Sequence, residues 1–149
     1  MSAGEYCNRD VVVVEKSESV REAVNLMRNN HVGDVVIVEK QGEMVVPLGI
    51  LTDRDIVIEI LAEDVALDKV SVGDVMSDQL VTVTEQTKLL DAIKQMRIKG
   101  VRRLPVVNQQ GGLEGILSVD DILELIVEQL SDIVGLVSKE ITNETESRK

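Results

Sequence analysis

The chain is predicted to be an α/β (α+β) protein made of two copies of one β-α-β-β-α unit, finished by a long C-terminal helix. Three observations predict this. The heptapeptide Gly49-Ile50-Leu51-Thr52-Asp53-Arg54-Asp55 returns as Gly115-Ile116-Leu117-Ser118-Val119-Asp120-Asp121, each copy reading as an apolar strand end that turns directly into a helix. A shift of 69 residues sets Val81 and Val83 on Val12 and Val14, and Ala92 and Met96 on Ala23 and Met27. By the second motif the shift is 66, so the first copy carries three extra residues, assigned to the turn around Met44 to Leu48. Finally, the hydrophobic fraction of 44% is supplied almost wholly by aliphatic residues, with no Phe or Trp and one Tyr. A core rich in β-branched side chains suits strands packed on helices.

Taken in order, Ser2 to Cys7 aligns with Ser71 to Met76 at the head of each copy. Val11–Val14 and Leu80–Val83 read as short strands. Val20, Ala23, Val24 and Met27 then recur at helical spacing, as do Leu89, Ala92, Ile93 and Met96. Ser19 and Glu22 have capping-box spacing, and Ser17 is an alternative start for that helix. Asp34–Glu39 and Arg103–Asn108 are strands followed by the turns Gln41-Gly42 and Gln110-Gly111-Gly112. Pro47 suits an edge or a strand entrance. The third strand of each copy ends in the heptapeptide. The boundaries expected are residues 2–62 and 71–130 for the two repeats, 63–70 for an acidic connector, and 131–149 for the helical extension and polar tail. Within that extension Ile122, Leu125, Ile126, Leu130, Ile133, Val134, Val137 and Ile141 keep a helical stripe, after which residues 142–149 are expected to fray.

Charge and composition remove several function classes. The net charge of −11 disfavours nucleic acid and anionic membranes, and the lack of aromatic platforms disfavours single-strand binding. One Cys and one His allow no intramolecular disulfide and no Cys/His zinc cluster, and no calcium-loop spacing occurs. No apolar run approaches membrane-spanning length, and no charged segment precedes an apolar run at the start. The expectation is a soluble, cytoplasmic protein. No P-loop, dinucleotide fingerprint or nucleophile–base arrangement is present, so the chain is read as a non-enzyme with no catalytic residue, metal or catalytic cofactor.

The heptapeptides carry the chemistry. A hydroxyl, free backbone N–H groups and a carboxylate at a helix start cap that helix. The same set would also hold a phosphate and a diol-bearing sugar. Both readings remain open from the residues alone. Arg97, Lys99, Arg102 and Arg103 form an unusual basic concentration in an acidic chain. Arg97 and Lys99 complement a helix C-terminus, whereas the arginines entering the next strand do not.

The duplicated unit, both heptapeptides, Val72-Gly73-Asp74-Val75-Met76 and Val101-Arg102-Arg103-Leu104-Pro105-Val106-Val107 together resemble a tandem pair of CBS domains, over residues 2–130. The resemblance implies repeats packed about a pseudo-dyad, with two clefts that take adenosine-containing ligands. Carried over residue by residue, one cleft joins Ile50, Leu51, Thr52 and Asp55 to Met76, Val81, Val101, Arg102 and Arg103. In it Asp55 would accept ribose hydroxyls, Thr52 would donate toward phosphate, Met76 and Val81 would flank the base, and the arginines would supply charge. The other joins Ser118 and Asp121 to Cys7, Val12, Val32 and Gly33. There Gly33 and Asp34 stand where the second repeat has Arg102 and Arg103, so phosphate binding is expected to be weaker. The implied role is a regulatory module sensing an adenine nucleotide and acting on a partner protein; the apolar stripe, which outruns the repeat unit, is read as completing a homodimer rather than covering its own domain. The alternative is a ligand-independent adaptor working through that helix.

Overall fold

The aliphatic runs pair as two three-stranded sheets with the same topology. In the computed structural model, which describes residues 1–77 and 79–148, the first sheet has the order β1 (Val13–Glu15), β2 (Asp34–Gln41), β3 (Met44–Thr52). The second has the order β4 (Val83–Thr84), β5 (Arg103–Val107), β6 (Leu113–Ser118). In each, the first two strands are parallel and the last two form an antiparallel hairpin. Helices α2 (Val20–Asn30) and α5 (Leu89–Lys99) make the parallel crossovers. The mixed α/β architecture of two repeats and a C-terminal helix is thus the one expected.

Local chemistry explains where elements begin and end. Ser19, not Ser17, caps α2, its hydroxyl accepting from the Glu22 N–H at 3.2 Å. Both crossover helices stop on a left-handed residue: Gly100 at φ 66° after α5, and His31 at φ 55° after α2. The three extra residues lengthen the β2–β3 hairpin, and Pro47 sits inside edge strand β3 opposite Val38, next to a register irregularity. Strand β4 is shorter than expected. At the point equivalent to Pro105, Val36 donates its N–H to the Val12 carbonyl at 2.9 Å; Pro105 has no N–H to offer Val81.

The two cores are reciprocally exchanged. Helix α1 (Ala3–Tyr6), at the head of the first repeat, places Ala3 in the core of the second, with Val83, Leu89, Leu104, Leu117 and Ile122. Helix α4 (Val72–Val75), at the head of the second repeat, places Val72 in the core of the first, with Val20, Val35, Ile37, Leu51 and Ile60. Backbone bonds repeat the exchange almost atom for atom. Ala3 N–H donates to the Thr87 carbonyl (2.8 Å) as Val72 does to Glu18 (2.8 Å), and Gly4 donates to Glu85 (3.0 Å) as Gly73 does to Lys16 (2.9 Å). Sequence repeats and packing units are therefore not the same sets of residues.

The helices after the two heptapeptides diverge. After the first, α3 (Asp53–Asp55) continues as a π-helical segment, Ile56–Leu61, that seats Ile56 and Ile60 in the core. A 3-10 turn, Leu67–Lys69, lies in the connector. After the second, α6 (Val119–Ser147) runs 29 residues. Of residues 142–149, expected to fray, 142–147 are helical and Lys149 lies outside the described residues. The hydroxyls of Thr142, Thr145 and Ser147 donate back to the carbonyls of Ser138, Ile141 and Glu144, and Arg148 pairs with Glu144. Each hydroxyl is thus satisfied within the helix, and the Glu144–Arg148 pair one turn apart supports its polar end.

His31 occupies a conformation that disfavours a side chain, and the second repeat uses glycine there. His31→Gly is expected to raise stability by about 0.5–1 kcal/mol, read as a shifted urea midpoint with unchanged slope.

Candidate functional site

Each heptapeptide closes a capping box. The Thr52 hydroxyl oxygen accepts from the Asp55 N–H (3.1 Å), and Asp55 Oδ2 accepts from the Thr52 N–H (3.0 Å). Ser118 and Asp121 repeat this at 3.1 and 3.4 Å. Capping uses one oxygen of each carboxylate and one lone pair of each hydroxyl. It leaves Asp55 Oδ1 without a hydrogen-bond partner among the described residues, and leaves the Thr52 O–H free to donate. The two readings of the motif are compatible, because a capped helix still presents an acceptor and a donor.

That open edge faces a cavity of about 310 Å³ between the repeats, lined by Gly49, Ile50, Thr52 and Asp55 on one side and Ser77, Gln79, Leu80, Val81, Gly100, Val101, Arg102 and Arg103 on the other. Seven of the nine residues expected in this cleft therefore meet in one volume. Leu51 does not: strand alternation turns it into the core, where it is 2% exposed. Met76 packs beneath the cavity, its Sδ 3.4 Å from where a Cβ on Gly49 would stand. Gly49, Ser77, Gln79, Leu80 and Gly100 are additions to the expected set. Position carries the signal for Ser77, which directly follows the Val-Gly-Asp-Val-Met run; nothing in the residue types marks the others.

The second cavity, about 280 Å³, is lined by Asn8, Asp10, Val11, Val12, Val32, Asp34, Arg103, Ile116, Ser118, Asp120 and Asp121. Val12, Val32, Ser118 and Asp121 are among those expected. Cys7 and Gly33 do not line it. Cys7 Sγ lies 2.6 Å from where a Cβ on Gly115 would stand, so the thiol fills the space beneath the strand. Burial pushes its pKa up despite Arg9. Gly33 faces the Asp53 carboxylate instead. This cleft is also stitched: Asn8 and Ile116 exchange two backbone bonds of 2.8 and 2.9 Å, whereas their equivalents Ser77 and Ile50 show no such pair among the described residues.

Charge separates the cavities further. The first is lined by two arginines and one aspartate, the second by one arginine and four aspartates. One arginine is common to both. Arg103 Nε stands 3.1 Å from Asp34 Oδ1, with the side chains 28% and 19% exposed. Asp34 and Arg103 are equivalent positions, each the first residue of a central strand, so the pair bridges the repeats near their pseudo-dyad. The sequence places Asp34 against an anion in the second cleft alone; its pairing with Arg103 ties the two clefts together. Burial raises the Asp34 pKa, with Asp53 adding in the same direction and Arg103 opposing. Arg102 Nη2 lies 3.7 Å from Asp120 Oδ1, a solvated pair that leaves the guanidinium available. Among the described residues no group of three or more His, Cys, Asp or Glu is arranged to hold a metal ion, and no helix is long and apolar enough to cross a membrane.

The CBS domain family model matches residues 3–62 and 72–128. An uncharacterised Methanopyrus kandleri protein is 39% identical over 125 residues, covering 84% of this chain and 62% of that protein. An Arabidopsis thaliana mitochondrial CBS domain-containing protein is 33% identical over 114 residues, covering 75% of this chain and 54% of that one. The chain thus spans less than two thirds of either relative. The structure of a CBS domain protein from Pyrobaculum aerophilum complexed with AMP superposes with a TM-score of 0.73 at 25% identity, covering 85% of this chain and 99% of that one.

Because the folded pKa of Asp34 is raised above its ordinary value of 3.8, the folded state holds its proton more tightly than the unfolded state. The stability this provides is full below the unfolded pKa and is lost as pH rises through the folded value. Asp34→Asn, which stays neutral, is expected to melt no lower than the parent at pH 7, and its advantage should shrink as pH falls through the carboxylate range. Thermal melts from pH 3 to pH 7 read this.

Proposed function

The chain belongs to the CBS-domain family, and from that premise we propose that it is a regulatory module binding a phosphorylated adenosine, such as AMP, in the Thr52–Asp55 cavity. One observation carries the reading: a single cavity combines an unspent Asp55 oxygen, a Thr52 hydroxyl, two arginines and apolar walls from Ile50, Val81 and Val101. The carboxylate matches a ribose diol, the guanidinium groups match a phosphate, and the aliphatic walls match a planar base. The AMP complex of the similar Pyrobaculum protein supports the ligand class. We assign the contacts to Ile50, Thr52, Asp55, Val81, Val101, Arg102 and Arg103, with Met76 beneath. The second cleft, through Val12, Val32, Ser118 and Asp121, would take neutral adenosine or nothing. No catalytic role is assigned; the ligand is an effector, and its occupancy would be passed to a partner protein.

The same reading includes a homodimer. Leu123, Val127, Leu130, Val134, Val137 and Ile141 advance along α6 in alternating steps of four and three, and each is more than half exposed. A heptad seam of this kind suits a second, identical helix. A second reading, in which the chain is a ligand-independent adaptor, rests on this helix alone.

Asp55→Ala is expected to weaken adenosine and AMP alike, while Arg102→Ala and Arg103→Ala weaken AMP by roughly tenfold and adenosine little. Calorimetry decides this; heat from none of these ligands would leave the adaptor reading. Separately, a chain ending at Leu130 should shift by light scattering from dimer toward monomer, and a truncated chain that stays a dimer would reject the helix's role. A full-length monomer would remove the helix's assigned role.

A further inference from the structure

The Asp34–Arg103 pair adds a determinant that lies outside the ligand cavity. Resting on the nucleotide reading, we propose that Asp34 is a built-in competitor for phosphate: it occupies Arg103 in the empty protein and so sets how strongly the main cleft prefers a phosphorylated ligand to a neutral nucleoside.

Arg103 lines both cavities, whereas Asp34 lines only the second. At 3.1 Å the carboxylate sits against Nε, where it screens the charge that the rest of the guanidinium offers the main cleft. Among the described residues no second cation pairs with Asp34. Its neighbour Asp53 is a like charge, and burial already disfavours its ionised form. A phosphate drawing Arg103 toward the main cleft would therefore strand Asp34 near Asp53 without its counter-ion, in a cleft that Asp120 and Asp121 also line. That cost falls on AMP and not on adenosine, which asks nothing of Arg103. The same movement empties the second cleft of its one arginine and leaves four aspartates, so anion occupancy of the first cleft closes the second to anions.

The test is calorimetry with adenosine and AMP on five full-length proteins: the parent, Asp34→Asn, Asp34→Ser, Arg103→Ala, and the Asp34→Asn, Arg103→Ala double variant. Asp34→Asn is expected to raise AMP affinity by about two- to fivefold and leave adenosine affinity unchanged. In the Arg103→Ala background the same substitution should change the AMP-to-adenosine ratio by much less, because no guanidinium remains to be released. Asp34→Ser should repeat the result where an asparagine amide could itself engage Arg103. An equal rise with and without Arg103 would mean a general charge effect and overturn the competition. A fall in AMP affinity in Asp34→Asn would show that Asp34 orients Arg103 and would overturn it too. Absence of binding by every protein would sink the nucleotide reading itself, and is distinct from a ratio that binds but does not move.

Discussion

Everything else in this fold depends on the reciprocal burial of two small residues, Ala3 and Val72, each in the other repeat's core. A sheet of three short strands, covered by one crossover helix and the helix after its heptapeptide, still leaves part of its apolar face open. Here the missing cover comes from the head of the opposite repeat. The exchange brings the segment after each head helix beside the opposite heptapeptide, as Ser77, Leu80 and Val81 lie beside Gly49, Ile50, Thr52 and Asp55. The clefts are therefore a by-product of how the cores are completed.

Some of these features are legible in the residues, and the range over which each acts decides which. Repeat order, strand and helix identities, and the carboxylate and hydroxyl of each cleft all leave marks in spacing, because capping and alternation act over three or four residues. Arg102 and Arg103 are legible as charges out of place in an acidic chain. Leu51 is easily misread because its neighbours Ile50 and Thr52 line the cavity, and only the strand's pleat sends the middle residue inward. Cys7 and Met76 are expected in the clefts, yet each packs under a motif glycine of the opposite repeat, a contact that local spacing does not mark. The exchange itself leaves no trace in composition or periodicity, since Ala3 and Val72 are apolar in either arrangement. The polar end of α6 departs from expectation for a different reason. Hydroxyl residues read as helix ends, yet three of them here bond back into the helix.

Among the differences between the two halves, three act where the halves meet. Pro105 in place of Val36 removes one donor and shortens a strand at the rim of the main cleft. Arg102 and Arg103 in place of Gly33 and Asp34 split the charges. Asn8 and Ile116 close one cleft by backbone bonding, a pair that Ser77 and Ile50 do not repeat among the described residues. Common architecture is thus carried by the shared cores, and the distinction between sites by a few substitutions where the repeats meet.

The exchanged heads also dictate an order of events during synthesis. When the first repeat has left the ribosome, its strands and crossover helix are complete, but the residue that fills its core, Val72, has yet to follow. The second repeat waits in the opposite sense, for Ala3 and Gly4 near the start of the sequence, whose backbone partners Thr87 and Glu85 emerge far later. Domain-by-domain folding along the growing chain is unavailable to such a molecule. Its decisive contacts are far apart in sequence, which makes their closure slow relative to local helix formation. Until both heads have crossed over, apolar surface on each half stays open to other chains.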